Sequence, residues 1–141
     1  MPRYNFYGWE TANVTDECGL TPRDYYDLLS SVWCEKTCAP RMRKGWSLND
    51  KTLGQCSVTA FLMQEFFGGK VYGVPIGDGN FHCFNVVGDC VFDLTSEQFK
   101  GVKLNYNDRT EQFRDIHFQQ EEKRKRYEYL KNEITKLRSK P

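Results

Sequence analysis

Leu53-Gly54-Gln55-Cys56-Ser57-Val58-Thr59-Ala60 is the stretch from which the rest of the chain takes its meaning. A glycine-bearing loop runs here into a helix: Val58, Phe61, Leu62, Glu65 and Phe66 recur at three- and four-residue spacing, and Gly68-Gly69 stops the pattern. The first turn of a helix carries unpaired N–H groups and a partial positive charge, which favour thiolate over thiol. Cys56, Thr59, Ala60 and Met63 share one helix face. The small members of that row let another element pack close to the sulfur.

Working outward, the 141 residues suit a single domain, long enough to bury a core. Charged residues make up 28% and the net charge is +1, so the overall balance points to no polyanionic partner. Aromatic content is 15%, which suits a compact fold rather than disorder. The N-terminus lacks the apolar run of a signal peptide, and no stretch approaches the length of a membrane span. The expectation is a soluble, cytoplasmic protein. In that setting the six cysteines are read as reduced thiols. Cys34 and Cys38 lie four apart on an expected helix, but no second Cys/His pair at finger-like spacing accompanies them, so two structural thiols are the better reading.

Residues 1–20 show no clear period and are taken as irregular. Thr21-Pro22 opens a helix with a capping hydroxyl followed by proline in the first turn. Tyr25, Leu28, Leu29 and Val32 form its apolar stripe, which runs on toward Thr37–Pro40. Residues 41–53 read as a basic-then-polar loop carrying Trp46, either a roof over a cleft or a hydrophobic plug, with the plug favoured. Lys70–Ile76 reads as a strand and Gly77-Asp78-Gly79-Asn80 as a turn. Ser96–Phe99 suggests a short helical turn, and Val102–Tyr106 a further short strand. From about Asp108 the chain is expected to be helical, so that 108–141 forms a helical extension packed on the core. From 121 to 141 Lys and Arg outnumber Glu by four. A solvated helix face is the simpler reading, because no base-reading motif accompanies the charge.

Phe81-His82-Cys83-Phe84-Asn85-Val86-Val87, Gly88-Asp89 and Cys90-Val91-Phe92-Asp93-Leu94-Thr95 have the form of a hairpin closed by a two-residue type II′ turn. That turn sets the register: Val87 faces Cys90, Val86 faces Val91, Phe84 faces Asp93 and His82 faces Thr95. Directly opposed residues share a face, which makes His82 and Asp93 diagonal neighbours about 7–8 Å apart at Cα, within reach of a carboxylate–imidazole contact.

The chain therefore offers Cys56 at a helix start, His82 on a strand and Asp93 on the next. A cysteine nucleophile works as a thiolate paired with imidazolium, and a carboxylate on the far ring nitrogen fixes the tautomer and supports the charge. The Cys56 N–H is a natural half of an oxyanion hole, with Gln55 as a candidate side-chain donor. Asn85 is a fallback orienting residue, although strand parity puts it on the opposite face. His117, among polar neighbours, is read as structural. A zinc site from His82, Cys83 and Cys90 fails on the same parity, since His82 faces away from the other two. No cofactor or metal is expected.

The Leu53–Ala60 block, Phe67-Gly68-Gly69, His82-Cys83-Phe84-Asn85 and Asp93-Leu94-Thr95-Ser96-Glu97-Gln98-Phe99 resemble the YunG-like family of small bacterial proteins, over roughly residues 25–131. Trp46 and the Lys125–Leu130 helix also fit that pattern. The family name implies no substrate. More loosely, the order Cys-helix, His-strand, Asp-strand is similar to the transglutaminase-like and NlpC/P60-like branches of the papain-like fold, whose enzymes break or exchange amide bonds through a cysteine acyl-enzyme. The Trp that follows the nucleophile in many transglutaminase-like proteins is replaced here by Ser57.

The expected architecture is α+β, with a papain-like core in which the Cys56 helix packs on a small antiparallel sheet and a long C-terminal helix crosses it. The expected activity is that of a thiol hydrolase or acyltransferase on an amide-type bond of a peptide, protein or small molecule. The rival is a non-catalytic binding module of the same shell that docks a partner through its basic C-terminal helix.

Overall fold

The computed structural model describes residues 4–139. It is an α+β fold whose single sheet has four antiparallel strands in the order β3-β2-β1-β4. The strands are β1 (Lys70–Gly77), β2 (Asn80–Val87), β3 (Cys90–Phe92) and β4 (Thr110–Gln112). The helices are α1 (Pro22–Ser30), α2 (Cys56–Phe67), α3 (Arg114–His117) and α4 (Glu121–Arg138).

Helix α1 starts where its capping signal puts it. The Thr21 side chain accepts from the Asp24 N–H while Asp24 reaches back to the Thr21 N–H, a reciprocal capping box. The helix ends sooner than its apolar stripe suggests. Ser30 and Ser31 donate their hydroxyls to the Tyr26 and Leu28 carbonyls, competing with the backbone ladder. Trp33 is then drawn to α2, its indole N–H donating to Thr59 Oγ1 at 3.0 Å. Cys34 and Cys38 consequently sit in a turn rather than on a helix. Residues 41–53 include two short 3-10 turns, Pro40–Gly45 and Leu48–Asp50.

The hairpin register is as the turn chemistry requires for its first three pairs: Val87–Cys90, Val86–Val91 and Asn85–Phe92. Gly88 supplies a φ of +59°, the conformation that a type II′ turn demands at its first position. The ladder then stops. Asp93 bridges Tyr7 instead of Phe84, donating its N–H to the Tyr7 carbonyl at 3.0 Å. The irregular N-terminal segment thus completes this edge, and it also sends Phe6 and Ala12 into the core with no exposed surface.

Two expectations for the later chain are corrected. Residues 102–106 form no strand, and the fourth strand is Thr110–Gln112, paired with β1 through Val71–Gln112, Tyr72–Glu111 and Gly73–Thr110. Helix accordingly begins at Arg114, not Asp108. The short polar run Thr110-Glu111-Gln112 has no apolar alternation of its own, and it is a strand because β1 offers it an open edge.

The two sheet faces are packed differently. Val71, Cys83 and Phe92 meet Phe61, Leu62 and Met63 of α2 in the main core, which α1 and α4 complete with Tyr25, Leu29, Tyr127, Leu130 and Ile134. On the other face Val74, Phe84 and Tyr106 form a smaller cluster covered by Tyr7, Tyr72 and Leu104. Leu130 and Ile134 are fully buried, and each contributes about 1.5–3 kcal/mol by leaving water, which fixes α4 across α2. None of the described helices is long and apolar enough to cross a membrane.

Candidate functional site

Cys56 is the first residue of α2. The chain arrives through Gly54 at φ +71°, where an added Cβ would lie 2.5 Å from Cys38 Sγ, so only glycine fits the approach. Gln55 occupies the N-cap but makes no side-chain cap, and the first intrahelical bond runs from Thr59 N–H to the Gln55 carbonyl. The first-turn N–H groups therefore have no partner within the helix. Cys56 and Ser57 line a cleft of about 490 Å³ between the start of α2, the β1–β2 turn and the start of α4.

His82 is buried, and its Nε2 lies 2.7 Å from Asp93 Oδ2. That leaves Nδ1 on the side of Cys56, whose thiolate is favoured by the neighbouring Cys83 thiol, His82 and the Cys83 backbone N–H. Asp93 is held from every side. Tyr106 Oη donates to Oδ2 at 2.7 Å, and the Thr95 N–H and Oγ1 donate to Oδ1 at 3.2 and 3.3 Å. The Phe99 ring stands edge-on to the imidazole, centroids 4.6 Å apart. The block from Asp93 to Phe99 is thus one device: Asp93 holds the histidine, Thr95 holds Asp93, Phe99 packs against the ring, and Gln98 lines the cleft.

The electrostatics follow from these contacts. The Cys83 thiol, then the His82 hydrogen bond and charge, hold Cys56 well below the ordinary thiol range against the opposing effect of burial. Burial alone would push His82 down. The charge and hydrogen bond of Asp93, with the Cys56 thiolate beyond, outweigh it and raise His82 to about 10. Cys83 moves the other way, pushed up by its hydrogen bond to Cys56 and by burial. The two neighbouring thiols are thus pushed apart, Cys56 toward the thiolate and Cys83 toward the protonated form.

The other residues singled out by sequence are placed elsewhere. Gln55 is fully buried and does not line the cleft; its Nε2 donates to the Cys34 carbonyl at 3.1 Å. Trp46 is half-buried outside the cleft, its indole N–H on the Lys51 carbonyl at 2.9 Å. Asn85 ties β2 to α2 by donating to the Ala60 carbonyl at 2.8 Å.

The part of the lining that His117 and Lys123 supply was not legible in the sequence. His117 lines the cleft, accepting at Nδ1 from Lys123 Nζ (2.8 Å) and donating from Nε2 to Gln112 Oε1 (2.9 Å). Gln112 in turn donates to the Thr110 carbonyl at 3.1 Å. Burial and the neighbouring Lys123 charge depress His117 to about 4, so it is a neutral acceptor at pH 7. Its six-residue separation from Lys123 spans a turn between two helices, so no periodic spacing announces the pair. Arg126 was also missed. It is buried in the same lining, bonded to Glu122 and to the Thr37 carbonyl.

A second cleft, of about 480 Å³ between Tyr7, Ser96, Lys100 and Tyr106, contains no cysteine or histidine. Among the described residues no group of three His, Cys, Asp or Glu side chains is arranged to hold a metal ion.

A sequence model of the YunG protein family matches residues 21–139. The chain is also 38% identical over 55 residues to the uncharacterized protein YunG of Bacillus subtilis (strain 168). The aligned part is 39% of this chain and 47% of that relative, so the match spans about half the relative's length. No solved structure matches the chain.

Proposed function

This chain belongs to the YunG family, and for it we propose a cysteine-dependent hydrolase or acyltransferase acting on an amide-type bond, built on a papain-like, transglutaminase-like core. The observation that carries the reading is the buried Asp93–His82 pair at 2.7 Å, with His82 and Cys56 lining the same cleft and His82 favouring the Cys56 thiolate. Six free thiols suit the reducing, cytoplasmic setting that such a nucleophile needs.

The Cys56 thiolate adds to the carbonyl carbon of the substrate, and the electron pair of the C=O bond moves to oxygen. First-turn N–H groups of α2 stabilise that oxyanion. As it collapses, the C–N bond breaks and His82 gives its proton to the leaving amine, which leaves a thioester on Cys56 and a neutral imidazole. Water or a second amine then attacks the thioester, His82 takes its proton, and the acid or new amide leaves as the thiolate returns. Throughout, Asp93 holds His82 by Nε2, so that Nδ1 is the nitrogen that gives and takes the proton.

The binding-module alternative relies on unpartnered cations along α4. Lys125 pairs with Glu121, Arg124 with Glu128, Lys131 with Glu65 and Lys136 with Glu133, while Arg138 reaches Tyr25. Among the described cations of α4 only Lys123, which lines the Cys56 cleft, has no ion pair, and the pairing of the others favours the catalytic reading.

The test is acylation by 4-nitrophenyl acetate followed by intact-protein mass spectrometry. An acetyl group should appear on Cys56 and turn over. It should be absent in Cys56→Ala, and in His82→Ala it should form about 10²–10⁴-fold more slowly. Acetylation confined to lysines, or unchanged in His82→Ala, contradicts the proposal.

A further inference from the structure

The cleft lined by Cys56 also holds a cation that, among the described residues, pairs with no carboxylate. Lys123 lies in the first turn of α4, half-buried, and its Nζ donates to the neutral His117 at 2.8 Å. Among the described residues it makes no ion pair, unlike Arg124, Lys125 and Arg126 beside it. Its acidic neighbour Glu122 is already engaged, by Arg126 at 2.6 Å and by Arg43 at 3.9 Å. Arg41 and Arg126 add two more positive side chains to the same lining, against the one carboxylate of Glu122. A half-buried ammonium held in place by an uncharged acceptor, with its remaining N–H bonds toward a cleft, is a site for an anion.

Resting on the thiol-enzyme reading above, we propose that this cleft selects substrates carrying a carboxylate close to the bond attacked by Cys56, with Lys123 as the group that binds it. His117 is the positioning residue. Its Nδ1 aims the ammonium, and Gln112 fixes its tautomer by accepting from Nε2. A protonated His117 could not accept from Lys123, so neutrality at this ring is part of the device, just as a charged ring is at His82. The cleft polarity fits. Gln98, Gln112 and Ser57 line the cleft with the cation, while Met42 and Phe81 supply apolar lining. The chemical class is an amide of an amino acid or a dicarboxylic acid, in which a free carboxylate lies a few atoms from the scissile bond.

Two alkylating agents of nearly equal size separate this claim from the one it rests on. With either iodoacetate or iodoacetamide, Cys56 sulfur displaces iodide, an S–C bond replacing the C–I bond as iodide leaves with its electron pair. Iodoacetate carries the carboxylate and iodoacetamide does not. The rate with iodoacetamide reports the thiolate alone; the iodoacetate/iodoacetamide ratio reports the anion site. The ratio at Cys56 in the native protein should exceed that of the same cysteine in the urea-unfolded chain by at least tenfold. In Lys123→Gln it should fall at least fivefold while the iodoacetamide rate changes less than threefold. Lys125→Gln, which removes the same charge from the same helix outside the cleft, should leave the ratio as in the wild type. His117→Ala should lower it partway.

A native ratio equal to the unfolded one overturns the anion site, even if Lys123→Gln proves too unstable to measure. So does an equal fall in Lys125→Gln, which would show only long-range charge. If instead iodoacetamide itself fails to single out Cys56, the thiol-enzyme reading is what has failed.

Discussion

The two histidines line one cleft in different charge states: a carboxylate keeps the ring of His82 charged against burial, whereas burial, with a lysine beside it, keeps His117 neutral. His82 has Asp93 at 2.7 Å and is raised to about 10; His117 has Lys123 at 2.8 Å and is lowered to about 4. Burial opposes the charged imidazole in both places, but only at His82 does a carboxylate outweigh it. The strand wall therefore places a proton donor beside Cys56, and the helix wall places a neutral acceptor on Lys123, whose burial works against its charge. A residue's chemistry here is a property of its partner.

Removing the carboxylate should disturb this contrast most. Asp93→Ala strands a buried imidazolium and three donors, so it should cost about 3–5 kcal/mol of stability in urea unfolding at pH 7 and abolish the reactivity of Cys56. Stability close to wild type would mean that His82 is neutral in the fold.

Next in size is the pH dependence of folding. His82 is raised above its unfolded value near 6.5, so its contribution is complete below that pH and is lost as pH rises through about 10. His117 is depressed, so stability falls as pH drops from about 6.5 through about 4. Urea midpoints measured against pH should show an alkaline slope that is diminished in His82→Ala and an acid slope that is diminished in His117→Gln. Slopes unaltered by these changes would remove the contrast. The smallest effect belongs to the third group on Asp93: Tyr106→Phe should cost about 1 kcal/mol, read as a lower urea midpoint, because one hydrogen bond to Oδ2 is lost.

How much of this could be read from the sequence depends on whether a local rule governs the contact. The His82–Asp93 pair was legible because a two-residue turn fixes parity along both strands, and the contact persists although β3 is only three residues long. The early end of α1 and the switch of Asp93 to Tyr7 were not, since serine back-bonding and a distant N-terminal segment decide them. Gln55 looked like an oxyanion donor from its place beside Cys56, but N-cap geometry turns its amide inward to Cys34. Lys123 and His117 meet only because β4 and the turn after α3 bring them there. No period in the chain encodes that meeting.

The most direct measurement is competitive alkylation of the native protein from pH 4 to 9, with each cysteine assigned by mass spectrometry, in wild type and His82→Ala. The thiolate–imidazolium pair predicts that Cys56 reacts first, with an apparent pKa well below the free-thiol value of about 8.5, while its neighbour Cys83 stays silent. That advantage should disappear in His82→Ala. If Cys56 titrates near 8.5 with the others, or reacts identically in the variant, the pair does not exist and the catalytic account is contradicted.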